Sequence, residues 1–250
     1  MNTLFTPKRE DLFCIDLPTQ PVPGAGKILV TGASGYIGGR LVNELLARGY
    51  RVQVLVRGNA VHYQELWPEA EIVVADVLKP ESLQSALAGI DTAYYLIHSL
   101  LLGRHQFYDA DIQAAHNFRR AAQEHTVKRI IYLGGLGDTE TSLSEHLRSR
   151  IHVSEELQNG PVPVTILRAA TIMGSGSASY EIIKHLVKKL PVINVPTWAN
   201  TRCQPIAVRD VIKYLVGCLE TPATAGKSFD IGGQDILTYR EMLEIFADVT

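Results

Sequence analysis

Cysteine is scarce in this chain. Cys14, Cys203 and Cys218 are the only three in 250 residues, odd in number and far apart. Neither a disulfide framework nor a zinc-ligand pattern follows from that spacing, and a reducing compartment is expected. A charge excess is also lacking. Lys+Arg 24 against Asp+Glu 26 leaves a net charge of −2. Broad nucleic-acid binding needs a basic field, so no nucleic-acid partner is expected. Long apolar runs are missing too. The longest strongly apolar stretch free of Asp, Glu, Lys and Arg is 92–103, and it contains His98 and Ser99. A membrane-spanning helix takes about 20 apolar residues. Residues 1–26 carry Lys8, Arg9, Glu10 and Asp11 where a secretory leader would need its apolar core. What remains is an ordinary soluble globular protein, expected in the cytoplasm. Its length suits one large α/β domain or two small ones.

Proline and glycine punctuate the first 26 residues, with Pro7, Pro18, Pro21, Pro23 and then Gly24-Ala25-Gly26. This segment reads as an extended arm. Leu12, Phe13, Ile15 and Leu17 either dock it on the domain or leave it as a mobile tail. From Lys27 the pattern changes. Short β-branched runs (28–31, 52–56, 71–75, 92–97, 129–133, 164–167) alternate with amphipathic segments (37–48, 80–89, 106–124, 143–157). Continuous apolar strands separated by helices predict a parallel sheet covered on both faces, wound right-handedly into a doubly wound α/β fold. After about residue 170 the pattern loosens. Helices near 180–189, 209–220 and 239–247 are separated by short pieces and loops rich in Gly, Ser and Pro, which predicts a small C-terminal substrate lobe within the same domain, 27–250.

The strongest chemical signal is Thr31-Gly32-Ala33-Ser34-Gly35-Tyr36-Ile37-Gly38-Gly39. It follows the first strand and opens the first helix, the context that gives a glycine motif meaning. Glycines there allow a tight turn and close backbone approach to a pyrophosphate. Free N–H groups of Tyr36 and Ile37 at the helix start would meet the phosphate charge. A dinucleotide site is therefore expected, with Gly32, Ser34, Gly35, Tyr36, Ile37 and Gly38 around it. The residue after the second strand tests the type of dinucleotide. An NAD site wants a carboxylate, an NADP site a cation. Here Arg57 stands 19 positions beyond Gly38 with no Asp or Glu near. NADP(H) is favoured over NAD(H), since a guanidinium matches a 2′-phosphate. Arg40 is a second, less favoured contact.

The spacing Gly-x-x-Gly-x-x-Gly, with Thr31 before it and Tyr36-Ile37 inside it, resembles the short-chain dehydrogenase/reductase superfamily, in its extended and atypical branches. The resemblance runs from Lys27 to Thr250 and is closest to the atypical, NmrA-like NAD(P)-binding proteins. Its other landmarks are Ala75-Asp76-Val77, Tyr95-Leu96-Ile97-His98, Leu167-Arg168-Ala169 and Phe229-Asp230-Ile231-Gly232-Gly233. The resemblance implies a Rossmann fold, with Asp76 and Val77 bordering adenine and Leu96 and His98 beside the cofactor cleft. Asp76 also reads as a helix cap, and His98 as a structural histidine. Relatives of this look often continue into another C-terminal region, which leaves room for a further domain or a protein partner.

Typical members use a Tyr-x-x-x-Lys pair on a helix plus a Ser or Thr at the end of the fifth strand. This chain departs at all three positions. Gly134-Gly135 stands where the hydroxyl is expected, and alignment of the helix puts His146 for the tyrosine and Arg150 for the lysine. His146 is then a candidate proton donor, with an ordinary polar helix position as the alternative. Arg150 is a candidate ribose contact. The literal match Tyr180-Glu181-Ile182-Ile183-Lys184 falls after the sixth strand, outside the context that would give it meaning. Thr171, Tyr180, Trp198 and Arg202 are candidates for the substrate wall. Three functions stay open: an atypical NADP(H)-dependent oxidoreductase acting on a carbonyl or quinone-like molecule, a non-catalytic NAD(P)-binding sensor or assembly protein, and a nucleotide-sugar epimerase.

Overall fold

The structure is a computed structural model that describes residues 12–98, 106–137, 144–189 and 197–249. Seven strands form one parallel sheet: β1 (Lys27–Val30), β2 (Val52–Val56), β3 (Glu71–Val74), β4 (Ile90–Tyr95), β5 (Arg129–Gly135), β6 (Val164–Ala169) and β10 (Ser228–Ile231). Their order across the sheet is β10-β6-β5-β4-β1-β2-β3. The chain starts at β1, winds outward to β2 and β3, then crosses to β4 and winds the other way. The sheet thus reverses between β1 and β4, the switch point where ligands of open α/β sheets bind, beyond the carboxyl ends of the strands.

Period-two alternation divides the inner strands between two cores. Ile28, Val30, Tyr94, Ile131 and Leu133 pack on one face with α1 (Tyr36–Ala47) and α7 (Val208–Glu220). Leu29, Ala93, Tyr95, Ile130 and Tyr132 pack on the other with α3 (Pro80–Leu87), α4 (Gln106–Glu124) and α5 (Glu145–Gln158). The buried Tyr94 hydroxyl donates to the Leu215 carbonyl of α7 at 3.0 Å, so this ring completes the core without leaving an unpaired polar atom.

The sequence pattern omits α2 (Ala60–Leu66), which buries no residue fully, so its apolar periodicity is weak. Its exit is held by Trp67, stacked on Tyr63 and donating its indole N–H to Asn43 at 2.9 Å. The later third contains α6 (Ala178–Lys189) and α8 (Tyr239–Val249), with short strands β7 (Thr171–Met173), β8 (Arg202–Cys203), β9 (Pro205–Ala207) and β11 (Leu237–Thr238). These strands pair as β7·β9 and β11·β8 outside the main sheet. Ile183, Met242 and Leu243 make a separate small core there.

The described part of the arm is docked. Phe13 and Leu17 pack on the α1/α7 core, whereas Ile15 stays exposed. The amides of Phe13 and Cys14 donate to the buried carboxylate of Glu44. Arg48 donates to the carbonyls of Cys14 and Thr19 and pairs with Glu220 at 2.7 Å. Burial among these groups pushes the Cys14 thiol up to about 12, which makes it a packing residue rather than a nucleophile.

Candidate functional site

The glycine motif begins where Thr31 stitches two strands together. Its amide and hydroxyl both donate to the Tyr94 carbonyl, and the hydroxyl accepts from the Leu96 amide at 3.1 Å. This draws the end of β4 against the turn after β1. Gly32 has φ +68°, and a Cβ on it would lie 2.4 Å from the Leu96 carbonyl oxygen. Neither the backbone angle nor the space admits another residue. Gly35 caps α1, and among the described residues no side chain bonds the first amides of the helix. Tyr36, Ile37 and Gly38 thus present free N–H groups at a helix N-terminus beside the switch point.

Of the expected cofactor residues, Ser34 and Gly35 are exposed at the loop crest. Tyr36 donates its hydroxyl to the Ser175 carbonyl at 3.1 Å, tying the loop to the segment after β7. Burial pushes its phenol up. Arg40 is half-buried, with its guanidinium 4.0 Å from the Tyr36 ring centre and a bond to the Tyr36 carbonyl. Arg57 is exposed just past β2, next to β1 in the sheet. Asp76 uses its carboxylate on the Leu78 amide in a local turn, while its own amide bonds the Ser82 hydroxyl. The residue capping α3 is Lys79, so the helix-cap reading of Asp76 is corrected. Val77 is buried, and its carbonyl accepts from Asn117.

The end of β4 carries His98, and α5 carries His146. The structure joins them: His98 Nε2 and His146 Nδ1 are 3.1 Å apart. The other nitrogen of His98 faces Asp111 of α4 at 3.2 Å. Asp111 is 4% exposed and also accepts from the Ser149 hydroxyl of α5 at 3.1 Å. Desolvation, with His98 and Arg150 as cationic or potentially cationic neighbours, lowers His146 to about 4, against a small opposing pull from Asp111. Asp111 was not legible as a site residue, because one acid among many polar positions of a long helix carries no mark in the sequence.

Arg150 reaches the same strand end. It donates to the Leu133 carbonyl and lies over the Tyr132 ring at 5.3 Å, and Tyr132 donates to the Arg150 carbonyl. The guanidinium braces the end of β5. Gly134 and Gly135 sit in close packing there: a Cβ would lie 3.1 Å from the Tyr132 ring or 3.0 Å from Leu147. A hydroxyl-bearing side chain at either position would need Tyr132 or Leu147 to give way by a few tenths of an ångström.

The lobe candidates fall into three groups. Thr171 is buried and bonds the Cys203 thiol, and Tyr180 packs edge-on against Phe246 at 5.4 Å. Arg202 is exposed on β8. Trp198 lies in a 3-10 turn, Thr197–Asn200, with its side chain outside the described atoms. Lys184 hovers 5.9 Å from the Tyr180 ring centre and pairs with Glu181, so the literal Tyr-x-x-x-Lys match is an ordinary helix face on α6. Among the described residues no cluster of three metal-ligating side chains occurs, and no helix is long and apolar enough to cross a membrane.

Comparison with known proteins agrees with this architecture. The chain is 30% identical over 230 residues to the mitochondrial NADH dehydrogenase [ubiquinone] 1 alpha subcomplex subunit 9 of Arabidopsis thaliana, covering 88% of this chain and 57% of that protein. The chain thus spans little more than half the length of this curated relative. Among solved structures it is similar to the triphenylmethane reductase of Citrobacter sp. complexed with NADP(H), with TM-score 0.73 and 23% identity over 90% of this chain and 76% of that one. The enzyme WbmG of Bordetella bronchiseptica in complex with NAD gives TM-score 0.74 and 16% identity, over 92% and 79%. The NmrA-like family matches residues 24–250, and the chain belongs to that family.

Proposed function

We propose that the chain binds NADP(H) in preference to NAD(H) and works as an oxidoreductase on a carbonyl or quinone-like small molecule. The observation that carries this reading is a histidine pair, His98–His146, at the strand end beside an unblocked helix N-terminus. The bare amides of Tyr36, Ile37 and Gly38 suit a pyrophosphate, Asp76 and Val77 are assigned to the adenine edge on the strength of the family resemblance, and exposed Arg57 suits a 2′-phosphate. Bound there, the nicotinamide supplies the hydride. The protein's own task is then to hold the reacting oxygen and exchange one proton with it. His146 is the side chain offered for that exchange, with Arg150 fixing the strand end beneath it. Arg202, exposed on the lobe, is offered to the substrate wall. Three free thiols, two of them buried, fit a reducing compartment.

The test is stopped-flow loss of NADPH absorbance over a panel of carbonyls and quinones, with wild type and His146→Gln. Turnover that falls at least tenfold in the variant supports the reading, and inertness of wild type toward the whole panel overturns it. The non-catalytic reading is favoured by one observation, the tightly packed Gly134 and Gly135 that leave the end of β5 without a hydroxyl side chain. It predicts tight NADPH binding with no turnover at all.

A further inference from the structure

We infer that Asp111, His98 and His146 form a proton relay in which His146 exchanges the proton while the positive charge rests on His98. This rests on the oxidoreductase reading for the identity of the outside acceptor.

The hydrogen-bond chain fixes the tautomers. The relay takes Asp111 as ionised; a carboxylate then only accepts, so the Nδ1 of His98 carries the hydrogen it shares with Asp111. In the neutral ring the Nε2 of His98 is then an acceptor. The partner 3.1 Å away, Nδ1 of His146, must therefore donate to it. That leaves Nε2 of His146 with a lone pair. The Ser149 hydroxyl, fully buried on α5, donates to the same carboxylate oxygen and holds it toward His98.

A proton arriving at His146 Nε2 has one low-cost course. The Nδ1 proton of His146 passes to His98 Nε2, so His98 becomes doubly protonated against Asp111 and His146 remains neutral. In reverse, Nε2 of His146 releases its proton to an oxygen, its Nδ1 recovers one from His98, and Nδ1–H of His98 stays on Asp111. One proton enters for each that leaves, and no other bond changes. The charge belongs on His98 because the carboxylate lies 3.2 Å from that ring, whereas Arg150 opposes a cation on His146. Among the described residues, the other titratable groups that act on Asp111 are Tyr95 of β4 and Tyr132 of β5, both kept protonated and uncharged by burial. Alone, a histidine held down to about 4 would be almost empty of protons near pH 7. The relay supplies what the isolated ring lacks.

The deciding measurement is histidine 15N NMR of the full chain, titrated from about pH 8 to pH 4. Both rings should be Nδ1–H tautomers at the alkaline end, and both should report one shared proton uptake. Asp111→Asn should lower that shared uptake by at least about one pH unit, a tenfold loss of proton affinity. Independent titration of the two rings, an Nε2–H tautomer on His98, or an unmoved titration in Asp111→Asn overturns the relay. The wild-type tautomers decide the matter even where that variant does not fold, and Ser149→Ala gives a milder perturbation of the same carboxylate. Single-turnover oxidation of NADPH separates the two readings. A shared titration without turnover on any acceptor leaves the relay standing and removes the oxidoreductase, and turnover with independent rings does the opposite.

Discussion

The α-carbon of Gly38 faces the carbonyl oxygen of Gly32 so closely that an added Cβ would lie 2.3 Å from it, and 2.7 Å from Ala33 Cα. Both neighbours are backbone, so neither can swing aside. Gly38→Ala must open the turn or shift the start of α1, and either displaces the amides of Tyr36 and Ile37. The expected outcome is at least a tenfold loss of NADPH affinity by calorimetry, with a stability loss of about 1–3 kcal/mol from overpacking. Gly217 on α7 is the control. A Cβ there meets nothing within 4 Å, so Gly217→Ala should leave binding unchanged and stabilise the chain by up to about 1 kcal/mol through helix propensity.

Arg57 is exposed beyond β2 and serves no core contact, which makes it a clean probe of cofactor choice. Arg57→Ala should weaken NADPH binding by roughly tenfold to a hundredfold, the worth of a charge-assisted phosphate contact at about 1.5–3 kcal/mol. NADH affinity and the thermal midpoint should not move. Equal loss for both dinucleotides would remove Arg57 from the 2′-phosphate and with it the preference for NADP(H).

How much of this was legible follows from what each residue type reports. The β-branched runs 28–31, 52–56 and 129–133 mark strands buried on both faces, and the glycine loop between the first strand and helix marks the cleft. The doubly wound sheet is accordingly found as expected. Helix α2 escaped because it has no buried face, and its N-cap Asn59 sits at φ 53° without the usual capping bond. Glu44 was a signal that went unread: a carboxylate on the face shared by Leu41 and Leu45 needs a partner, and that partner is the arm. Asp111 had no such mark. Its role depends on where α4 crosses the end of β4, a tertiary fact that no spacing encodes.

The arm is held by a charge pair with little access to water. Arg48 and Glu220 have side chains 14% and 0% exposed, and Tyr50 also donates to the carboxylate at 3.0 Å. Removing one partner leaves the other charge buried, which costs about 3–5 kcal/mol. Arg48→Met should lose about 3 kcal/mol or more in urea unfolding and release the carbonyls of Cys14 and Thr19 that it holds. Adding Glu220→Gln to that variant should recover part of the loss, since the orphaned charge is then gone. A double variant no better than the single would place the stabilisation in packing of the Arg48 stem rather than in the pair.

The histidine pair also sets a pH dependence of stability. His146 is held at about 4 in the folded chain, chiefly by desolvation and then by His98 and Arg150, against an ordinary value of 6.5. The folded state therefore resists a proton that the unfolded chain accepts. Between about pH 6.5 and pH 4 the unfolded chain binds more protons at this site, so unfolding free energy rises with pH across that window. Stability from this group is fully present above 6.5 and is lost as pH falls toward 4. His146→Gln takes the titration away. Its urea midpoint, compared with wild type at pH 7.5 and pH 4.5, should show a smaller loss on acidification, by an amount that vanishes when both proteins are compared above pH 7. An equal acid loss in both proteins would mean that His146 accepts its proton in the fold as readily as it does in water, and the partial desolvation assigned to the ring would then be wrong.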